Sequence, residues 1–278
     1  MKTGLMMASS VALCMMLGAA ACRPAQKKGS DESLVSERTF KGSPNAGESQ
    51  SGKIVSVKAV APLARESSPD GYLAAPPDGK GRPVLVLHAW WGLNDTTRDF
   101  CRRLADAGFV AFAPDLYHGK VADTIADAET LARALDGKQA RADIAEATRF
   151  LTERAGQADR GLAVVGFSLG AYYALDLSVT DPEHVRSVVV FYGTRDGDYS
   201  RSQAAYLGHF AETDEFEPQS GVDALEAALQ RAGRPVSFHR YPGTGHWFFE
   251  PDREQAFNQE AASLAWDRTL AFLSRHSR

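Results

Sequence analysis

Residues 161–175, Gly-Leu-Ala-Val-Val-Gly-Phe-Ser-Leu-Gly-Ala-Tyr-Tyr-Ala-Leu, constrain the fold of this chain more than any other stretch. Leu162 to Val165 form an apolar run of strand length, Gly166-Phe167-Ser168-Leu169-Gly170 has turn chemistry, and the apolar residues after it suit a helix. A serine flanked by glycines at a strand-to-helix turn is the pattern of a nucleophile elbow. The spacing has a steric cause. Such a turn is sharp and strained, so side chains at 166 and 170 would collide with it. The helix that starts near Leu169 then offers free N–H groups and a positive dipole end to developing negative charge. The pentapeptide alone is common by chance; its strand-and-helix context gives it weight.

The rest of the body alternates strand and helix. Strands are expected at Ile54–Val60, Gly71–Ala75, Pro83–His88, Phe109–Ala113, Ser187–Tyr192, Ala204–Phe210 and Pro235–Tyr241. Helical patterns occupy a segment capped by Asn94 or Asp95 and ending at Ala107, then 122–135, 138–155, 222–231 and 258–274. Alternation with helices of this length implies right-handed βαβ units and a mostly parallel central sheet covered by helices on both faces. Net charge is −4 and there is no basic run, which gives no footing for a nucleic-acid partner.

The amino terminus has a different character. Met1-Lys2-Thr3 is followed by an apolar segment from Gly4 to Ala21, closing on Ala19-Ala20-Ala21-Cys22. Residues 1–21 are expected to be an export signal that is removed. Ala19-x-Ala21 fits ordinary signal peptidase, while a small-residue run ending in cysteine resembles the lipobox of bacterial lipoproteins. Lipidation of Cys22 is therefore the expectation, with a secreted soluble protein as the alternative. Cys14 leaves with the signal, so Cys101 remains alone in the body, with no disulfide partner and no metal-site spacing. Residues 22–52 are rich in Ser, Gly, Lys, Glu and Pro, the composition of a flexible tether reaching roughly 30 Å from a membrane surface. Residues 53–278 form the globular domain.

A serine hydroxyl is a poor nucleophile near neutral pH and needs an adjacent base, itself oriented by a carboxylate. In chain order the acid and then the histidine follow the serine in such folds. His246, in Tyr241-Pro242-Gly243-Thr244-Gly245-His246-Trp247, sits on a Gly-rich loop after the last strand, where the carboxyl edge of the sheet builds sites. His209 at a strand's end is the other loop candidate. Between Ser168 and His246, the stretch from Glu212 to Glu217 offers Glu212, Asp214, Glu215 and Glu217. One oxyanion-hole N–H should come from Leu169 and the second from the loop His88-Ala89-Trp90-Trp91-Gly92-Leu93-Asn94.

Together, that loop, Ala113-Pro114-Asp115-Leu116-Tyr117, Gly166-Phe167-Ser168-Leu169-Gly170, Asp214 to Pro218 and Gly245-His246 resemble the dienelactone hydrolase family in order and spacing. The resemblance implies an α/β-hydrolase fold, Ser168 as nucleophile, His246 as base and Asp214 as its partner; Glu212, Glu215 and Glu217 are then expected to be ordinary solvated residues of an acidic loop. It places the oxyanion hole at the amides of Leu169 and Trp90. Trp90, Trp91, Tyr117, Trp247 and Phe248 are expected to supply apolar pocket walls.

The sequence departs from that pattern. Dienelactone-cleaving members use Cys where Ser168 stands, and many carry Glu at the position of Ala89. They also place Arg four residues after the histidine, where this chain has Glu250. The expected activity is cofactor-free cleavage of a small carboxylic ester or lactone through an acyl-enzyme, with neutral substrates preferred because Glu250 would reverse the charge at the rim. The alternatives are acyl transfer on the same fold and a non-catalytic lipoprotein that binds a ligand or partner.

Overall fold

Buried strands form where the sequence runs apolar without a helical period, and among the described residues the five inner strands of the sheet follow that rule while the two edge strands are only partly buried. The computed structural model describes residues 68–155 and 161–275. The export signal, Cys22, the tether and the strand expected at Ile54–Val60 lie outside the described residues. β1 (Gly71–Ala74), β2 (Arg82–Leu87), β3 (Phe109–Pro114), β4 (Leu162–Phe167), β5 (Val185–Phe191), β6 (Ala205–Ala211) and β7 (Val236–Tyr241) build one sheet in the order β1-β3-β2-β4-β5-β6-β7. Only β1 runs antiparallel to its neighbour. Every residue of β2, β3 and β4 is buried, as expected of strands covered on both faces.

The helices are α1 (Asp95–Asp106), α2 (Ile125–Ala134), α3 (Gly137–Ala155), α4 (Leu169–Thr180), α5 (Gln219–Arg231) and α6 (Gln259–Arg275). On α1 the apolar stripe of Phe100, Cys101, Leu104 and Ala105 faces the sheet, and the Asn94 side chain caps the helix by accepting the Thr97 N–H at 3.0 Å. With α6 it covers one face, over Val84, Val86, Val165 and Leu207. α3, α4 and α5 cover the other face, over Leu85, Leu87, Val164 and Val190. This is the doubly covered α/β-hydrolase architecture. Arg82, buried at the start of β2, donates to the Leu273 carbonyl at 2.8 Å in the last turns of α6 and to Ser187 Oγ at 2.8 Å. A buried cation near a helix C-terminus is favourably placed. Cys101 is buried in α1, and desolvation pushes its thiol up to about 12, so it is an inert core residue.

Because β2, β4, β5, β6 and β7 are parallel, the loops that leave their carboxyl ends gather along one edge of the sheet. Residues 88–94, 168, 192–194, 212–218 and 242–250 therefore converge.

Candidate active site

Ser168 occupies a left-handed backbone conformation, φ 49° and ψ −111°, that costs on the order of 1–3 kcal/mol for a non-glycine residue. The two flanking glycines permit it. A Cβ on Gly166 would strike the Gly170 carbonyl oxygen, and one on Gly170 would strike the Leu87 carbonyl oxygen. The turn is fastened by the Ser168 N–H, which donates to the Phe191 carbonyl at the end of β5 at 2.9 Å. A serine at a helix N-cap usually accepts an amide from the first turn. Ser168 makes no such bond, so its hydroxyl is free for another partner.

That partner is His246, whose Nε2 lies 3.0 Å from Ser168 Oγ. Its Nδ1 lies 2.9 and 2.8 Å from the two carboxylate oxygens of Asp214. A carboxylate facing Nδ1 holds the proton there and leaves Nε2 to accept the serine proton. The side chains of His246 and Asp214 are only 5% and 2% exposed, which strengthens the pair electrostatically. Asp214 is held in turn by the N–H groups of Phe216 and Glu217, each donating to Oδ1 at 2.9 Å. The structure thus brings together the three residues that the sequence singled out.

The amides of Leu169 and Trp90 donate to no protein acceptor among the described residues. His88, which the sequence did not single out, orients the second of them. Its ring is buried, with Nδ1 2.7 Å from the Ala89 carbonyl, and Nε2 accepts the Leu116 N–H at 3.2 Å. Nε2 must then be unprotonated, and burial lowers the pKa in the same direction. The Ala89 carbonyl and the Trp90 N–H share one trans peptide and point in opposite directions, so gripping the first aims the second.

The expected pocket walls divide by burial. Trp91 and Phe248, 1% and 0% exposed, are core residues: Trp91 lies under the Arg253 guanidinium at 3.8 Å, and Phe248 packs on Tyr192 and Tyr241. Tyr117 is also buried and packs on His88. Trp247 is half-buried, with its ring 5.1 Å from that of His246 and 5.9 Å from that of Trp90. Phe216, missed in the sequence, is its counterpart, half-buried with its ring 5.1 Å from His246.

Three further expectations are corrected. His209 is not at a loop; it lies inside β6, wholly buried between Tyr241 Oη at 2.8 Å and Thr269 Oγ1 at 3.0 Å. Glu217 is not a solvated loop residue, because its carboxylate accepts both the N–H and the hydroxyl of Thr194. Glu250 is neither at a charged rim nor in solvent. It is buried and accepts the Tyr192 hydroxyl at 2.6 Å, and desolvation pushes its carboxyl up to about 8. A crevice of about 410 Å³ between α3 and α4, lined by Arg141, Tyr173 and Asp176 among others, includes none of Ser168, Asp214 and His246.

The family model of the dienelactone hydrolase family matches residues 70–277, the whole of this sheet and its helices. The chain belongs to the dienelactone hydrolase family. Its relatives include "Protein usf" of Aquifex pyrophilus, 32% identical over 217 residues, covering 74% of this chain and 93% of that protein. A protein of Aquifex aeolicus named "Putative carboxymethylenebutenolidase" is 30% identical over 217 residues, covering 74% of this chain and 93% of its own length. A crystal structure described as a "Putative Dienelactone Hydrolase" from Klebsiella pneumoniae subsp. pneumoniae superposes with a TM-score of 0.66 at 26% identity, covering 73% of this chain and 92% of that one. As a member of this family the chain is a carboxylic ester hydrolase.

Proposed function

We propose that this dienelactone hydrolase family member cleaves small neutral carboxylic esters or lactones through a serine acyl-enzyme. The observation that carries the reading is the continuous chain from Ser168 Oγ through His246 to Asp214, with a 3.0 Å contact at the nucleophile. His246 Nε2 takes the Ser168 proton as Oγ attacks the carbonyl carbon. The amides of Leu169 and Trp90 receive the oxyanion, helped by the positive end of α4. His246 returns the proton to the leaving alcohol, then activates the water that cleaves the acyl-enzyme. Asp214 stabilises the imidazolium formed at each stage. No cofactor or metal enters any step of this scheme.

The substrate side of the reading rests on the groups around His246. Its ring neighbours are Tyr192, Phe216 and Trp247, all aromatic, and the nearby carboxylates of Asp214 and Glu217 disfavour an anionic substrate. A fluorophosphonate probe tests the nucleophile. The wild type is expected to take one label and Ser168→Ala none, with a loss in kcat on the order of 10⁴-fold on a short nitrophenyl ester. Ester turnover by folded Ser168→Ala protein at the wild-type rate would reject the mechanism.

We also propose export and lipid anchoring at Cys22, supported by the Ala19-Ala20-Ala21-Cys22 sequence behind an apolar segment. The intact mass of the mature protein should show an acylated Cys22 as first residue. A freely soluble protein with an unmodified Cys22 would reject the anchor.

A further inference from the structure

β5 alternates as a doubly covered strand should, with Val188 and Val190 on the α3/α4/α5 face and Val189 and Phe191 on the α1/α6 face. Continued alternation would send Tyr192 to the first of these faces. It lies instead in the same cluster as Phe191, because its backbone turns left-handed there, with φ 37°. A non-glycine residue at such a φ is strained. The consequence of the strain is a ring placed beside the catalytic base: the Tyr192 and His246 ring centroids are 4.8 Å apart.

Both ends of this residue are fixed. The Phe191–Tyr192 peptide is bracketed by the elbow and by β6, since the Phe191 carbonyl accepts the Ser168 N–H at 2.9 Å and the Tyr192 N–H donates to the His209 carbonyl at 2.8 Å. At the far end the phenol donates to Glu250 Oε1 at 2.6 Å, inside the protein, with Tyr192 and Glu250 0% and 4% exposed. Glu250 is four residues beyond His246 on the same loop, and its N–H donates to the Trp247 carbonyl at 2.9 Å. A closed path therefore runs from Ser168 through Phe191 and Tyr192 to Glu250 and back along the loop to His246.

We propose that Tyr192 and Glu250 are positioning residues for His246, a strut that sets the imidazole's tilt about its bond to Asp214 and hence its aim at Ser168. The inference rests on the reading of Ser168 and His246 given above. Asp214 fixes one nitrogen of the ring but leaves rotation about that hydrogen bond, and packing must fix the rest. Phe216 and Trp247 contribute packing only. The Tyr192 ring is anchored by a hydrogen bond at its tip, so it is the stiffest of the three neighbours. Burial keeps the Glu250 carboxyl protonated at neutral pH, so glutamine is its neutral isostere and preserves an acceptor for the phenol.

The test compares Tyr192→Phe, Glu250→Leu and Glu250→Gln. Tyr192→Phe and Glu250→Leu are expected to lower kcat roughly tenfold with KM changed less than about twofold, since a small misplacement of a catalytic group is felt in the transition state. Glu250→Gln should recover most of that loss. Activity is expressed per folded molecule, from a denaturant titration of each variant. A second readout needs no turnover: the downfield proton resonance of His246 Nδ1–H should shift in Tyr192→Phe and Glu250→Leu and return in Glu250→Gln. It is measured in the Ser168→Ala background too, so it reports on the strut even if Ser168 proves not to be the nucleophile. Unchanged kcat per folded molecule in Tyr192→Phe, or an unmoved resonance, would overturn the proposal.

Discussion

Glu217 holds Thr194 with both carboxylate oxygens, accepting the backbone N–H at 3.1 Å and the hydroxyl at 2.5 Å. The bond joins the loop that carries Asp214 to the loop after β5, whose Gly193 lies against the Ser168 carbonyl. Burial raises the Glu217 pKa while the Thr194 bonds oppose the shift. Glu217→Ala should leave two donors of Thr194 unpaired, costing about 1–3 kcal/mol by urea denaturation. It should also reduce kcat by loosening Asp214. If stability and kcat both stay at the wild-type level, the two loops are held by other contacts.

His88 makes a similar prediction for the proposed oxyanion hole. His88→Phe keeps the volume of a buried ring but removes the grip on the Ala89 carbonyl at 2.7 Å and leaves the Leu116 N–H without its acceptor. A misdirected oxyanion donor acts on the transition state, so kcat should fall roughly ten- to hundredfold with little change in KM. Counting active sites with the fluorophosphonate separates this from partial unfolding. A variant with full kcat per labelled site would show that Trp90 does not depend on His88.

The elbow was legible in the sequence because each of its demands is local: an apolar run for β4, small residues around Ser168, and an apolar run for α4. Most of β5 and a cap for α1 at Asn94 or Asp95 were legible for the same reason, through alternation and capping chemistry within a few residues; the structure ends β5 at Phe191 and takes Asn94 as the cap. The corrected expectations have two kinds of cause, local ambiguity and partners distant in sequence. The expectation of a loop at His209 fails because Leu207 and Phe210 beside it continue the buried pattern of β6. Phe248 suits a pocket wall by its place beside His246, but an aromatic run there is equally the pattern of a core, which is where Tyr192 and Tyr241 enclose it. Glu217 and Glu250 depart from the sequence expectation because their partners, Thr194 and Tyr192, are 23 and 58 residues away in sequence. No periodicity announces such a bond.

The expected preference for neutral substrates changes its physical basis. Glu250 bonds Tyr192 inside the protein, so it does not reverse the charge at the rim. The anionic groups that remain beside His246 are Asp214 and Glu217, and its ring neighbours carry no cation. A neutral methyl ester should therefore exceed the matched half-ester of a dicarboxylic acid by about tenfold or more in kcat/KM, with the gap narrowing as salt screens the field. A half-ester that is the better substrate at low ionic strength would reject this account.

Glu250 also predicts how stability depends on pH. Its carboxyl titrates at about 8 in the folded protein, raised chiefly by desolvation, with Asp252 adding to the shift and the Tyr192 bond and Arg253 opposing it. In the unfolded chain it titrates near the ordinary value of about 4.3. Between those values the folded state keeps a proton that the unfolded state has released, so stability falls as pH rises through this window. Its contribution is fully present below the unfolded pKa and has been lost once the pH passes the folded one. The loss amounts to roughly a few kcal/mol by linkage. Glu250→Gln holds a neutral group at all pH and should flatten this limb, becoming more stable than the wild type at pH 8 to about the same extent. Denaturant titrations of both proteins across the window measure the difference directly. Parallel stability curves for the two would show that Glu250 is ionised in the folded protein throughout.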